Sequence, residues 1–249
     1  MLELKAISKD FGRKKLALNN VNFALTPGFT ALIGPNGGGK STLMGIATTL
    51  QKPTRGEVLW NGAALRGSLL EEYRRQISYV PQRINLINSM SLIDTMDYVG
   101  WTARIAKNAR LARAKDLLER FDLSHKQAQK VGSLSGGQLR RLGIATAMMN
   151  APKILFLDEP TVGLDPEARL RTREIIASIA NEATVLMSTH LVEDIQFLPG
   201  KLSILANGEI VYQGDYHDLA SKVPAVTTTM GSSFEVAYGA IIEEVKRDY

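Results

Sequence analysis

Lys40, Ser41 and Thr42 close the run Gly34-Pro35-Asn36-Gly37-Gly38-Gly39-Lys40-Ser41-Thr42, which spaces glycine, lysine and hydroxyl as a phosphate-cradling loop requires. The glycines free backbone N–H groups to turn inward around an anion, and a helix starting near Lys40 adds the positive end of its dipole. In this reading Lys40 neutralises β and γ phosphates and the Ser41 hydroxyl ligates Mg2+. A plain glycine-rich turn ahead of a helix is the alternative, and the lysine and serine following a buried strand weigh against it. A second group, Ile154-Leu155-Phe156-Leu157-Asp158-Glu159, sets two carboxylates at the end of an apolar strand. Asp158 fits a carboxylate on Mg2+, and Glu159 a base that orients and deprotonates an attacking water. Standing alone, the pair could cap a helix before Pro160; beside a phosphate loop, a magnesium nucleotide needs such a carboxylate. A third group, Leu134-Ser135-Gly136-Gly137-Gln138, places a hydroxyl and two glycines just before a helix, which makes another anion cradle.

These groups need a scaffold that brings distant loops to one edge. Leu2 to Phe11 and Ala17 to Leu25 read as half-buried strands, and Phe29 to Ile33 as a short buried strand running into the glycine loop. After Glu57 to Trp60 and an Asn61-Gly62 turn, a helix around Leu69 to Arg75 leads to a strand at Ile77 to Val80. From Ser91 to about Asn150 the pattern is helical, broken chiefly at Gly132 to Gly137. Strand signals return at Lys153 to Leu157, Thr184 to Met187 and Leu202 to Val211, with a helix start at Asp165-Pro166 between the first two. This order predicts an α/β core with a mainly parallel sheet and a helical lobe inserted in its middle. Near the end, Ser232-Ser233-Phe234-Glu235 fits a capping box. Phe234, Ala237, Ile241, Ile242 and Val245 follow helical spacing, which predicts a short amphipathic helix docked on its own core.

The chain has 249 residues, 45% hydrophobic and 22% charged, enough to bury a sizeable core. The absence of cysteine excludes disulfides, thiolate metal sites and cysteine nucleophiles, and suits a reducing compartment. No stretch is long and apolar enough to cross a membrane, and the first residues lack a secretory pattern, so neither insertion nor export by the general route is expected. The formal net charge is +5. Between Arg104 and Lys130, eight basic residues face three acidic ones and carry that whole excess. No aromatic residue interleaves them before Phe121, so a solvated helix face is expected and nucleic-acid binding is not. Trp60 and Trp101 are expected to be packing groups.

Taken together, the glycine loop, the Asp158-Glu159 strand and the Leu134 to Gln138 string resemble the motifs of an ATP-binding cassette (ABC) ATPase, over all but the last stretch of the chain. The resemblance implies a P-loop NTPase core with a mainly parallel sheet (residues 1–82 and 146–222), an antiparallel β subdomain at the N-terminus, an inserted α-helical subdomain (83–145) and a tail (223–249). It implies ATP and Mg2+ as cofactors. Gly34, Asn36, Gly37, Gly38, Gly39, Lys40, Ser41 and Thr42 would hold the phosphates, and Phe11 would stack on adenine. Ser135, Gly136, Gly137 and Asp165 would reach the nucleotide across an interface between two cassettes. Ser41, Gln82 and Asp158 would serve Mg2+, and Glu159, His190 and Gln82 would act in hydrolysis. Gly38 departs from the family, which more often has alanine there. The partners implied are a second nucleotide-binding subunit and separately encoded transmembrane permease subunits, with the chain on the cytoplasmic face of a membrane and export favoured. From Asn85 to Met96, after Gln82, the apolar residues Leu86, Ile87, Met90 and Leu92 stand between polar ones as a helix-binding groove for the membrane partner would, with ordinary core packing an equal alternative for Met90 and Leu92. The alternative is a soluble cassette acting on ribosomes or DNA; the span between Lys40 and Ser135, too short for a long coiled coil, weighs against the DNA branch.

Overall fold

The computed structural model describes residues 1–12, 16–196, 200–221 and 233–247. β1 (Leu2–Lys9) and β2 (Leu18–Leu25) bury one face and expose the other, as antiparallel strands on a single core do. β3 (Phe29–Ile33) is buried on both faces and runs straight into the glycine loop and α1 (Lys40–Ala47). β4 (Arg55–Trp60) and β5 (Ala63–Ala64) then complete a four-stranded antiparallel sheet in the order β2-β1-β4-β5. α2 (Gly67–Arg75) returns the chain to β6 (Ile77–Val80). Its Tyr73 is fully buried, donates to the Ala47 carbonyl at 2.7 Å and meets Trp60 edge to face at 5.6 Å.

The helical lobe follows as α3 (Leu92–Thr102), α4 (Lys107–Arg120) and α5 (Gly136–Met148). Two breaks in it carry no glycine or proline signal. Arg104 (φ +60°) ends α3 and Asp122 (φ +57°) ends α4, each in the left-handed conformation that glycine usually takes. Backbone bonds from Ile105 to Gly100 and from Leu123 to Leu118 close the two ends. The basic stretch is partly spent inside the chain: Arg110 pairs with Asp97, Arg113 donates to the Met148 carbonyl and Arg120 binds Glu182.

β7 (Ile154–Asp158), α6 (Pro166–Ala180), β8 (Thr184–Thr189) and α7 (Glu193–Gln196) return to the core. β9 (Lys201–Ala206) and β10 (Glu209–Asp215) replace the single strand expected over Leu202 to Val211. Asn207 and Gly208, both at positive φ, make the two-residue turn between them. The larger sheet runs β10-β9-β3-β8-β7-β6, parallel except for the β9–β10 hairpin. The α/β expectation holds, with an antiparallel sheet beside a mixed one. Because β3, β6, β7 and β8 point the same way, Ile33, Val80, Asp158 and Thr189 end at one edge, where ligands bind in open α/β sheets. After α8 (Tyr216–Ser221), α9 (Ser233–Arg247) buries Phe234 and Ala237 in the main core, with Phe234 stacked on Tyr216 at 4.7 Å. Ser232 and the Val245 side chain lie outside what is described. Trp101 is 61% exposed, against expectation, because it sits on the outer face of α3 beside the exposed Tyr98. No helix among the described residues is long and apolar enough to cross a membrane.

Candidate nucleotide site

The glycine loop is shaped by contact with its neighbours. A Cβ on Gly34 would lie 1.9 Å from the Leu205 carbonyl oxygen, and one on Gly39 (φ +107°) would lie 2.6 Å from that of Ala17. Only glycine lets the backbone pass there. At Gly38 a Cβ would come 3.0 Å from both the Leu205 and Pro35 oxygens, so the residue that departs from the family seats the loop close against β9. No side chain caps the N-terminus of α1. Its first N–H groups are therefore left for a ligand. Lys40, 5% exposed, donates from Nζ to the Gly34 carbonyl at 2.7 Å and the Pro35 carbonyl at 3.1 Å, and lies 3.9 Å from Glu159 Oε1. Burial pushes its ammonium pKa down, and Glu159 and Asp158 pull it back up.

Across the loop stand the carboxylates. Asp158 accepts from the Ser188 hydroxyl at 2.5 Å, the Tyr79 hydroxyl at 3.3 Å and the Ser41 hydroxyl at 3.4 Å. Burial, and then the Asp158 charge, push the Tyr79 phenol up to about 12. Glu159 sits at φ +47°, which is strained for a residue other than glycine and more so before proline. That backbone is held by its N–H donating to Ser188, at 3.1 Å to the carbonyl and 3.0 Å to the hydroxyl. Its carboxylate accepts from Gln82 Nε2 at 2.9 Å and lies 3.1 Å from His190 Nδ1. Asn36, Gly37, Gly39, Lys40, Ser41, Thr42, Gln82, Glu159 and His190 thus line one cavity of about 600 Å3.

Ser135, Gly137 and Asp165 do not join them. They line a separate cavity of about 430 Å3 between α5 and α6. Ser135 and Gln138 bond reciprocally in a capping box, and Asp165 caps α6 by accepting from the Ala168 N–H at 2.8 Å. Gly136 has open space where a Cβ would be. Phe11 lines neither cavity; its ring is 54% exposed, with Lys9 Nζ 5.0 Å from its centroid. Ser41, Gln82 and Asp158 offer oxygen donors with a single carboxylate, which suits Mg2+ bound jointly with phosphates. Among the described residues no cluster of three acidic or histidine side chains is suited to a metal.

Sequence reasoning missed Tyr79, Ser188 and Arg140. Ser188 had a signal, since it stands at the end of a buried strand two residues before His190. Replacing Ser188 by alanine takes the closest donor from buried Asp158 and one of two acceptors from the Glu159 N–H. We expect a loss of about 1.5–3 kcal/mol, the usual worth of a hydrogen bond to a charged group, measured by urea unfolding. A change under about 0.5 kcal/mol contradicts the arrangement. A buried latch also escaped notice: Asp194, fully buried, accepts from Arg173 Nε at 2.8 Å, Thr189 Oγ1 at 3.0 Å and the Thr161 hydroxyl, which fixes the ends of β7 and β8 relative to each other.

The family described as ABC transporter matches residues 18–162, from β2 through the Asp158-Glu159 strand. The chain belongs to the ATP-binding cassette transporter family. It is therefore an ATP-binding subunit and an ATPase. The cassette is 31% identical over 226 residues to the linearmycin resistance ATP-binding protein LnrL of Bacillus subtilis, covering 90% of this chain and 72% of the relative. It is 33% identical over 231 residues to the methionine import ATP-binding protein MetN of Corynebacterium glutamicum, covering 89% and 64%. Among solved structures, the dimeric post-hydrolysis state of the cassette MJ0796 bound to ADP and Pi superposes with TM-score 0.76 at 29% identity, covering 86% of this chain and 98% of that one.

Proposed function

We propose that two cassettes, either two copies of this chain or this chain and a related one, close on two Mg-ATP molecules and drive transport through separately encoded membrane subunits. In each site the Lys40 cavity of one chain faces the Ser135 cradle of the other. The observation that carries this reading is the separation of the two anion cavities within one chain. The dimeric MJ0796 cassette with ADP and Pi supports it.

Lys40 exchanges its two backbone carbonyls for the β and γ phosphates, and the uncapped α1 turn adds N–H donors. Phe11 offers a ring face to adenine. Ser41, Asp158 and Gln82 hold Mg2+, which supplies charge neutralisation at the phosphate oxygens. Glu159 takes the proton of the attacking water on a carboxylate ordered by Gln82 at one oxygen and by His190 at the other, and His190 also faces the γ-phosphate. Export is favoured over import because resistance and lantibiotic-transport cassettes, LnrL, SrtF and DrrA, recur among the relatives. The cassette then works on the cytoplasmic face of the membrane.

Mixing two crippled chains tests the composite site. Lys40→Ala removes the phosphate contact but leaves a signature cradle, and Ser135→Arg blocks the cradle but leaves the phosphate loop. Each alone should be inactive, while an equimolar mixture forms one intact site in each mixed dimer and regains hydrolysis. A mixture as inactive as its components argues against sites shared between chains.

The surface for the membrane partner lies where Ile84, Leu86, Val99 and Ala103 line a cavity of about 380 Å3 between the segment after Gln82 and α3. Ile87 is 51% exposed beside it, whereas Leu92 takes the core-packing alternative and is fully buried in the lobe. Ile87→Glu is expected to leave nucleotide binding intact and abolish co-purification with the membrane subunit; an unchanged complex places docking elsewhere.

A further inference from the structure

Arg140 lies one turn into α5, and its side chain leaves the lobe altogether. Its Nη1 donates to the Pro81 carbonyl at 3.2 Å and its Nη2 to the Gln82 carbonyl at 2.8 Å. It is 8% exposed, and burial is the main influence lowering its pKa, with Asp158 opposing. A guanidinium is buried in this way only where its planar fork meets acceptors that fit it. The backbone it grips has little other restraint on its donor side, because Pro81 has no N–H with which to extend the β6 ladder. One turn further along α5, a Cβ on Gly143 would lie 2.3 Å from Ile84 Cδ1, so the helix presses on the same segment from a second point. The Gln82 side chain, on that gripped backbone, donates to Glu159 at 2.9 Å. Ser135 caps the start of the same helix.

We propose that Arg140 is a positioning residue for hydrolysis: by clamping the consecutive carbonyls of Pro81 and Gln82 it holds the Gln82 amide on Glu159 and makes that contact move with the helix that presents Ser135. The assignment rests on the reading of Glu159 as the base. Its consequence is that engagement of the Ser135 cradle by one nucleotide is felt, through a single rigid helix and two hydrogen bonds, at the hydrolytic carboxylate of the same chain. Lysine cannot reproduce it, since a point charge does not span two carbonyls in a fixed fork.

The test compares Arg140→Met, which keeps the buried stem, and Arg140→Lys with the wild type. With Met we expect kcat to fall about tenfold while KM for ATP and the affinity for a fluorescent ATP analogue stay within about twofold, and with Lys an intermediate value. Arg140→Met added to Gln82→Ala should cost less than about twofold more, because Arg140 acts only through the Gln82 contact. A kcat within about twofold of wild type, a rise in KM matching the fall in kcat, or effects of the two substitutions that multiply would each overturn the proposal. Glu159→Gln, run alongside, reports separately on the base. Should that variant hydrolyse normally, the clamp is still judged by amide hydrogen exchange in the nucleotide-free chain. Arg140→Met should speed exchange across residues 82–86 and leave the second half of α5 unchanged, and equal exchange in both proteins overturns it.

Discussion

Alanine at position 40 is expected to abolish magnesium-dependent ATP hydrolysis. In the resting site the Lys40 ammonium is buried on two backbone carbonyls, 3.9 Å from Glu159, in a cavity that it lines together with Asn36, Ser41, Thr42, Gln82 and His190. Removing it deletes the point charge that meets the β and γ phosphates and leaves the two carboxylates and the polyphosphate with one counter-charge fewer. Losing one such donor to transition-state charge costs about 10²–10³-fold in rate. The loss of a charge-assisted bond in the ground state weakens ATP binding by about tenfold or more as well. Alanine favours helix at the first position of α1, so the fold should persist. Phosphate release and binding of a fluorescent ATP analogue measure both effects, and wild-type turnover would remove the glycine loop from the account.

Glutamine at position 159 is expected to stop the chemistry without emptying the site. It preserves the size of the side chain and the hydrogen bond with Gln82 but cannot accept a proton from water. Loss of a general base costs about 10²–10⁴-fold. Lys40, Ser41 and Asp158 are untouched, so ATP affinity should hold or rise; single-turnover kinetics separate the two quantities. Turnover at the wild-type rate would mean that Glu159 is not the base.

The candidate nucleotide cavity was legible where the chemistry is contiguous in sequence. Gly34 to Thr42 and Asp158-Glu159 each carry their spacing within a few residues, and a parallel sheet sends both to one edge. The contacts that hold those groups in place come from remote segments: Ser188 from β8, Tyr79 from β6 and Arg140 from α5 reach the carboxylates and the Gln82 segment only through the fold. Period and propensity say nothing of such pairings. The ends of α3 and α4 escaped for a local reason, since Arg104 and Asp122 adopt a conformation that sequence assigns to glycine. Trp101 was misjudged because aromatic residues are usually buried, and a helix pattern does not reveal which face its neighbours leave open. The Leu202 to Val211 run hid a hairpin although Asn207-Gly208 is a strong turn signal, because the apolar residues on both sides read as one strand.

The central claim, that the Lys40 cavity of one cassette and the Ser135 cradle of another share an ATP, is tested most directly by the size of the Glu159→Gln chain on gel filtration. Glutamine removes a negative charge beside the γ-phosphate, where repulsion opposes closure, and prevents the hydrolysis that reopens the pair. With Mg-ATP the variant should elute as a dimer and without nucleotide as a monomer. Adding Ser135→Arg, which fills the cradle, should return it to the monomer even with ATP. An ATP-loaded Glu159→Gln chain that stays monomeric, or a dimer that survives Ser135→Arg unchanged, would contradict the shared site.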